Sequence, residues 1–320
     1  MLTPEQLEKH NACITGSKVA SILGVSPFKS KFQLFAEMTG LVEREEISTE
    51  RMRMGNYAER MMDEIVRGEY GWGVMEGPVC GIYHPQHKFL FGLIDRYKVI
   101  LDDKGFPINE AVLEYKNIDG MQQKQWADGV PVYYECQARF YSMLTGLPAI
   151  VVALFGGNHV EKYELPRNKQ VEDYILSECI QFWDDLQNMR APQPDGKDST
   201  SNALARLYPE SKLDLVDGDG SVEEWIMKQE VFSAVEKRAG ERKEAYTNKI
   251  KAVMGEHQGI VCPSGVKATW KQIKDGAKFD EKAFAAANPE LYQKYVIPKP
   301  GYRRFLISLP GKKAPKQIAA

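Results

Sequence analysis

Two short apolar stretches that end in charged residues predict strands of a buried sheet: Phe89-Leu90-Phe91-Gly92-Leu93-Ile94-Asp95 and Ala111-Val112-Leu113-Glu114-Tyr115-Lys116. Each has the composition of a buried strand, where two carboxylates and an ammonium are costly unless they pair or bind a metal. Residues i and i+2 of a strand share a face, so Glu114 and Lys116 point together, and Asp95 meets them if the strands are neighbours. Two hard oxygen ligands beside a lysine suit Mg²⁺ or Mn²⁺ that activates water against a phosphodiester.

The charge of the chain is unevenly distributed along its 320 residues, 43% of which are apolar. The length allows one large domain with an appendage, or two domains. Residues 221–320 carry 19 Lys and Arg against 11 Asp and Glu, a balance of +8, whereas residues 1–220 carry −10. The acidic part could supply metal ligands and the basic part could bind a polyanion, although a solvated surface with a lysine-rich tail explains the basic part equally well.

The cysteines and the hydropathy pattern predict a protein of a reducing cytoplasm. None of the five cysteines has a neighbour at the close spacing of a zinc or cluster site: Cys13, Cys80, Cys136, Cys179 and Cys262. The count is odd and we recognise no signal peptide, so we expect a cytoplasmic location. No apolar run approaches the ~20 residues that span a bilayer, so no membrane partner is expected.

Hydrophobic periodicity and turn-forming residues predict a chain of alternating helices and strands. Helices are expected over 3–10, 18–23, 32–39, 49–70, 131–145, 170–188 and 221–254, with a broken helix over 280–295. Strands are expected over 79–83, 89–100, 111–115, 150–155, 161–165, 265–272 and 302–307. This order predicts a first domain over 1–190, a Pro/Asp/Ser-rich connector over 191–220 and a charged helical and β region over 221–320.

The helix predicted over 49–70 carries a further candidate acid, Glu59. Gly55 stands one turn before it and leaves room for a close neighbour. The apolar face is predicted from the larger apolar side chains Met54, Tyr57, Met61, Met62 and Ile65. A solvated helix with charge pairs at i and i+4 is an equally good interpretation of Glu59.

Two further groups of polar residues could contact a nucleic-acid backbone. Tyr134 and Gln137 are three residues apart on the helix over 131–145, so they share a face and could hydrogen-bond phosphate oxygens, unless Tyr134 packs in the core and Gln137 is solvated. Hydroxyls, lysines and helix N-terminal amides can hold a terminal phosphate, and such residues cluster around Pro27: Ser17, Lys29, Ser30 and Lys31. Loop residues of this kind are also ordinary solubilising residues.

The order of these motifs resembles that of one nuclease family. Ile14–Ser30 (ITGSKVASILGVSPFKS) is followed by Met38-Thr39-Gly40, Gly55…Glu59, Asp95, Glu114-Tyr115-Lys116 and Tyr134-x-x-Gln137. This arrangement, over about residues 12–165, resembles YqaJ-like viral recombinases, which are lambda-exonuclease-type members of the PD-(D/E)XK nuclease superfamily. The sequence departs from the usual pattern at one position, because Ile94 stands where the superfamily often has proline before its aspartate.

The resemblance implies roles for the charged residues. Asp95 and Glu114 would ligate Mg²⁺ together with the backbone carbonyl of Tyr115, with two ions per site and Mn²⁺ able to substitute. Lys116 would orient or deprotonate the attacking water, or stabilise the charged phosphorane.

Three other positions receive roles in the same way. Glu59 would support a metal ion or its waters. Gln137 would complete the catalytic set and, with Tyr134, position the scissile strand.

The resemblance also implies a fold and an activity. The fold is α/β (α+β), with a restriction-endonuclease-like core of a mixed central sheet flanked by helices and, here, a C-terminal helical and β extension. Such enzymes digest one strand of linear double-stranded DNA from its 5′ end and leave 3′ overhangs. They form rings, usually trimers, and act with a single-strand annealing protein in phage-type homologous recombination, in the cytoplasm of a bacterial host or phage-infected cell.

Two alternative functions remain open at this point. One is an endonuclease on the same fold, and the other is a DNA-end-binding recombination scaffold that has lost catalysis. The intact set of Asp95, Glu114 and Lys116 argues against the scaffold. The region over 221–320 is expected to hold DNA or a partner through its positive charge.

Overall fold

The computed structural model describes residues 3–44, 50–212, 214–299 and 301–309. The chain divides into two compact units, Met1–Tyr208 and Pro209–Ala320. The first residue of the helix predicted over 49–70 lies outside the described residues. Among the helices that are described, none combines the length and the apolar character needed to cross a membrane.

The first unit contains seven described helices, one 3-10 helix and seven strands. The helices are α1 (Pro4–Ala12), α2 (Gly16–Ile22), α3 (Lys31–Met38), α4 (Glu50–Tyr70), α5 (Val132–Thr145), α6 (Lys169–Gln187) and α7 (Asp198–Leu207), and the 3-10 helix is Gly120–Trp126. The strands are β1 (Gly73–Glu76), β2 (Ile82–Tyr83), β3 (Phe91–Gly92), β4 (Arg96–Leu101), β5 (Pro107–Ile118), β6 (Ala149–Phe155) and β7 (His159–Leu165).

The main sheet of the first unit is mixed and has five strands in the order β1-β4-β5-β6-β7. β5 and β6 are parallel and the other neighbours are antiparallel, while β2 and β3 form a separate small sheet. The parallel pair is joined through α5, as a parallel connection requires a crossover. The predicted mixed central sheet flanked by helices is therefore confirmed.

Side chains of β5 alternate between two hydrophobic clusters, one on each face of the sheet. Val112 packs in the cluster that contains Phe140 of α5, whereas Leu113 packs in the cluster that contains Met62 of α4. All seven residues of β6 are buried, since this strand has a neighbour on each side and helices on both faces. The polar residues Glu114 and Lys116 of β5 are therefore surrounded by packed apolar side chains on both faces of the sheet.

The predicted strand over 89–100 is wrong in one respect, because it is interrupted at residues 93–95. β3 pairs with β2, while β4 pairs with β1 and β5, so the chain must leave one sheet before it enters the other. The strand predicted over 79–83 is likewise shortened to β2, because the Gly81 N–H donates to the Pro78 carbonyl in a turn. Asp95 therefore precedes β4 instead of ending a long strand.

The predicted buried face of α4 also differs from the observed one. The buried residues are Ala58, Met62 and Val66, spaced by one turn each. Met54, Tyr57 and Met61 are exposed. A Cβ atom on Gly55 would meet nothing within 4 Å, so the close neighbour expected there is absent from the described structure.

The second unit contains α8 (Gly220–Met254), the short antiparallel strands β8 (Gly259–Val261) and β9 (Lys267–Thr269), α9 (Glu281–Ala287) and α10 (Pro289–Tyr295). The break expected at Pro289 is confirmed, since this proline opens α10. The strand expected over 302–307 is wrong, as the described residues 301–309 contain none.

The stretch that the sequence assigns to the connector contains α7, which packs on α3 within the first unit. The amide of Ser30 donates to Ser199 Oγ, and Ala203 is buried.

Candidate active site

Glu114 and Lys116 lie on the same face of β5, which points toward α5. The Lys116 ammonium lies 2.5 Å from Glu114 Oε1 and donates to Gln137 Oε1 at 3.1 Å. It also lies 5.2 Å from the centre of the Tyr134 ring, a cation–π distance. The structure thus brings together four of the residues selected from the sequence, and the predicted shared face of Tyr134 and Gln137 is turned toward the lysine.

Strand register places Asp95 beside this pair. Arg96 of β4 pairs with Leu113 of β5 in an antiparallel ladder, so the residue before Arg96 stands opposite the residue after Leu113. Asp95 and Glu114 are those two residues. Burial raises the pKa of Asp95 above its ordinary value, against the lowering effect of the Lys116 charge.

Glu114 is an almost completely buried carboxylate with a spare oxygen. Its side chain is 2% exposed, and its Oε2 atom has no hydrogen-bond partner among the described residues. Burial raises the pKa of Glu114 to about 7; Lys116 opposes this rise, and the charges of Asp95 and Glu59 add to it. An orphaned buried oxygen next to a second carboxylate is a favourable environment for a cation.

Glu59 is half-buried on α4, and burial together with the Asp95 charge raises its pKa. Glu59 and Glu114 also interact electrostatically. Among the described residues, however, no three His, Cys, Asp or Glu side chains converge closely enough to form a metal cluster. The site therefore offers a pair of carboxylates, Asp95 and Glu114, rather than a set of three.

A cavity of about 690 Å³ adjoins these residues. Tyr134 and Asn117 line it, and Tyr134 connects it to Lys116 through the ring contact. Its wall carries three hydroxyls and three cationic groups, which are Ser17, Ser21, Ser26, Lys18, Lys29 and Arg44. Such a lining suits an anion that carries several oxygen acceptors.

The residues selected from the sequence as phosphate ligands divide into two groups. Ser17 and Lys29 line the cavity, and the Lys29 ammonium lies 2.5 Å from Glu37 Oε2. Ser30 is fully buried, and its hydroxyl caps α3 by accepting from the Gln33 amide. Lys31 lies 3.6 Å from Glu178 on α6. The structure therefore does not bring Ser30 and Lys31 to the cavity.

Lys18 is a cavity residue that was not selected from the sequence. It is buried, and its ammonium donates to the carbonyls of His10 and Cys13, each at 2.5 Å. Burial lowers its pKa to about 7, with a contribution from the Arg44 charge. A signal was present, because Lys18 is the one charged residue in the otherwise apolar and small α2 sequence GSKVASI.

Comparisons with known proteins give a consistent family. Residues 5–148 match the profile of the YqaJ-like viral recombinase domain. The chain is 27% identical over 320 residues to the uncharacterized protein YqaJ of Bacillus subtilis strain 168, covering 95% of this chain and 94% of that protein.

Solved structures of exonucleases show a weaker likeness. The alkaline exonuclease LHK-Exo of Laribacter hongkongensis is 18% identical with a TM-score of 0.48, over 58% of this chain and 94% of that one. A phage-related exonuclease from Haemophilus somnus 129PT is 12% identical with a TM-score of 0.39, over 55% and 96%. Because these scores are below 0.5, the function proposed below does not depend on them. The profile match confirms the resemblance found in the motifs: residues 5–148 of this chain match the YqaJ-like viral recombinase domain.

Proposed function

We propose that this protein is a metal-dependent 5′→3′ exonuclease that digests one strand of linear double-stranded DNA and leaves 3′ overhangs. The observation that carries the proposal is the buried Glu114 carboxylate: one oxygen accepts from Lys116, and the other, beside Asp95, has no hydrogen-bond partner within the described part of the chain. A catalytic lysine next to two carboxylates is suited to phosphodiester hydrolysis. The 5′→3′ polarity is taken from the family resemblance.

The donor set fits a hard divalent cation. Asp95 and Glu114 would hold Mg²⁺ together with the Tyr115 backbone carbonyl, and Glu59 would support an ion or its waters. We propose two ions per site, with Mn²⁺ able to substitute. When bound, such ions lower the pKa of water and neutralise charge on the phosphate and the leaving oxygen.

Side chains of this protein would activate the water, position the scissile strand and bind the terminal phosphate. Lys116, fixed between Glu114 and Gln137, would orient the attacking water or stabilise the charged phosphorane as an ammonium, or accept the proton of the water as a neutral amine. The Gln137 amide and the Tyr134 ring at the cavity wall would position the scissile strand. The cavity lined by Ser17 and Lys29 would receive the terminal phosphate of the DNA.

We further propose a homo-oligomeric, trimeric ring around DNA and cooperation with a single-strand annealing protein in recombination, both from the family resemblance. We propose that the domain predicted over 1–190 carries the nuclease activity and that the positive balance of residues 221–320 holds DNA or a partner.

The test is incubation of the full chain with Mg²⁺ and either linear or covalently closed duplex DNA. Digestion of linear DNA alone, with product released from the 5′-labelled strand, supports the proposal. Nicking of closed circles would support the endonuclease instead, and inertness toward both substrates, with DNA ends still bound, would support the scaffold.

A further inference from the structure

A single carboxylate, Asp63 of α4, joins three elements on the sheet face opposite Lys116. Arg96 Nε lies 2.9 Å from Asp63 Oδ2 and 3.1 Å from Oδ1. The Tyr115 hydroxyl donates to Asp63 Oδ1 at 3.0 Å. Asp63 thus connects α4 to β4 through Arg96 and to β5 through Tyr115.

Both partners of Asp63 are sequence neighbours of the candidate active site. Tyr115 lies between Glu114 and Lys116, and because strand side chains alternate, it points to α4 while they point to α5. The Tyr115–Asp63 hydrogen bond therefore fixes the orientation of residues 114–116 from the face of the sheet that packs on α4.

Arg96 acts on Asp95 directly. Its Nη1 donates to the Asp95 carbonyl at 2.8 Å, and the same carbonyl accepts from the Gly77 amide at 3.1 Å. Asp95 lies in the interruption between β3 and β4, so strand pairing alone does not hold its peptide. The arginine that holds this peptide is itself oriented by Asp63.

The Asp63–Arg96 pair is well shielded from water, with the two side chains 16% and 13% exposed. Removing one member of a shielded, hydrogen-bonded pair leaves the other charge uncompensated and free to reorient. Burial and the Asp63 charge also raise the pKa of Tyr115 above its ordinary value, so the hydroxyl remains a donor.

We propose that Asp63 is a positioning residue of the active site, which sets the separation of the Asp95 and Glu114 carboxylates through Arg96 and Tyr115. The inference rests on the proposed function and extends it, because Asp63 neither belongs to the predicted catalytic set nor contacts the lysine. Groups that orient metal-binding side chains typically change metal affinity or activity by about 10–100-fold when they are removed.

The test compares Asp63→Asn and Tyr115→Phe with Asp185→Asn in the full chain. Asp185 is the matched control, because it is also an aspartate that accepts a hydrogen bond from an arginine, Arg190 Nε at 3.0 Å. It lies near the C-terminal end of α6. Mn²⁺ affinity is measured by calorimetry without DNA, and kcat and KM are measured on linear duplex. Thermal unfolding is measured in parallel.

For Asp63→Asn we expect about a tenfold loss of Mn²⁺ affinity and of kcat, with KM for DNA unchanged. Tyr115→Phe keeps the charge pair and removes one hydroxyl, so a smaller loss in the same two quantities is expected. Asp185→Asn should match the wild type. If Asp63→Asn does not fold, Tyr115→Phe still decides the question.

The positioning role would be overturned if a folded Asp63→Asn protein kept the Mn²⁺ affinity and kcat of the wild type. If Asp63→Asn does not fold, wild-type values in Tyr115→Phe would overturn it. A lowered melting temperature with unchanged Mn²⁺ affinity would do the same, because it would reveal a structural pair alone. If the wild type itself left linear and closed DNA intact, the proposed function would fail instead.

Discussion

The Lys116 ammonium is held between the Glu114 carboxylate and the Gln137 amide oxygen, and this contact explains why a lysine is tolerated there. Lys116→Ala should abolish cleavage, with kcat reduced at least about 100-fold, because general acid–base groups contribute about 10²–10⁴-fold. DNA binding in Ca²⁺ should persist. Cleavage is measured in single turnover and binding by fluorescence anisotropy.

A matched control is Lys162→Ala, which removes a lysine from the exposed edge strand β7. This variant should cleave as the wild type does. Near wild-type cleavage by Lys116→Ala would show that the lysine has no part in the reaction.

His10 gives the first unit a pH-dependent stability. Burial, with the Lys18 charge, lowers the pKa of His10 to about 4, from an ordinary value of 6.5. The unfolded chain therefore binds more protons between pH 4 and 6.5, and stability falls as the pH falls through that window. His10→Gln should remove part of this fall, no more than about 3 kcal/mol.

Urea denaturation of wild type and His10→Gln at pH 4.5, 5.5 and 7.5 checks this prediction. The free energy of unfolding of the wild type should fall more steeply than that of His10→Gln as the pH decreases. Parallel pH profiles would contradict the assignment.

Alternation along a strand sufficed to predict that Glu114 and Lys116 share a face, because it depends on positions i and i+2 alone. The role of Asp63 was not predictable, since its partners Arg96 and Tyr115 are 33 and 52 positions away and the contact exists only after α4 packs on the sheet. Burial of Lys18 was missed for a similar reason, because its acceptors are backbone carbonyls at the end of another helix.

The junction between β1 and the interrupted segment 93–95 depends on a glycine. A Cβ atom at Gly77 would lie 1.8 Å from the Ile94 carbonyl oxygen, and the Gly77 amide donates to the Asp95 carbonyl. Gly77→Ala should therefore displace the peptide that carries Asp95, costing about 1–3 kcal/mol of unfolding free energy and lowering kcat.

Gly68→Ala in α4 is the control, since a Cβ there meets no atom of the described residues within 4 Å. It should stabilise the protein by about 0.5–1 kcal/mol through helix propensity, with kcat unchanged. Equal stability and activity of the Gly77→Ala and wild-type proteins would contradict the close approach.

Element types were easier to predict than element faces and breaks. The helical period predicted α4, but the side chains that it buries are small or medium, Ala58 and Val66 with Met62, because the sheet approaches closely there. The break before Asp95 was not visible in an apolar sequence that suits either sheet.

At the level of the whole molecule, the positive balance lies in residues 221–320, and α8 presents four exposed cationic residues in one segment: Lys237, Arg238, Arg242 and Lys243. Substituting all four by Gln should weaken DNA binding. The logarithm of the DNA-binding constant decreases linearly with the logarithm of the salt concentration. The magnitude of this slope should decrease by about 0.9 for each DNA phosphate that the variant no longer neutralises.

The control replaces Lys169, the first residue of α6, and Arg190, three residues beyond its end, by Gln. Anisotropy titrations between about 50 and 300 mM salt, conditions chosen to span the screening range, give the slopes. An unchanged slope for the α8 variant would assign its charge to solvation or to a protein partner.

Order along the chain selected candidate site residues that lie far apart in the sequence, on α4, directly before β4, on β5 and on α5. The second unit was less predictable, because its short strands β8 and β9 depend on their mutual pairing and carry few buried side chains.

In the proposed active site, the Asp95 and Glu114 carboxylates converge on a divalent cation. Anomalous diffraction from crystals grown with Mn²⁺ tests it most directly, using wild type and Glu114→Gln. We predict a Mn²⁺ peak in contact with both carboxylates in the wild type and its loss in the variant. Mn²⁺ bound elsewhere, or an identical peak in both proteins, would show that these two carboxylates do not form the metal site.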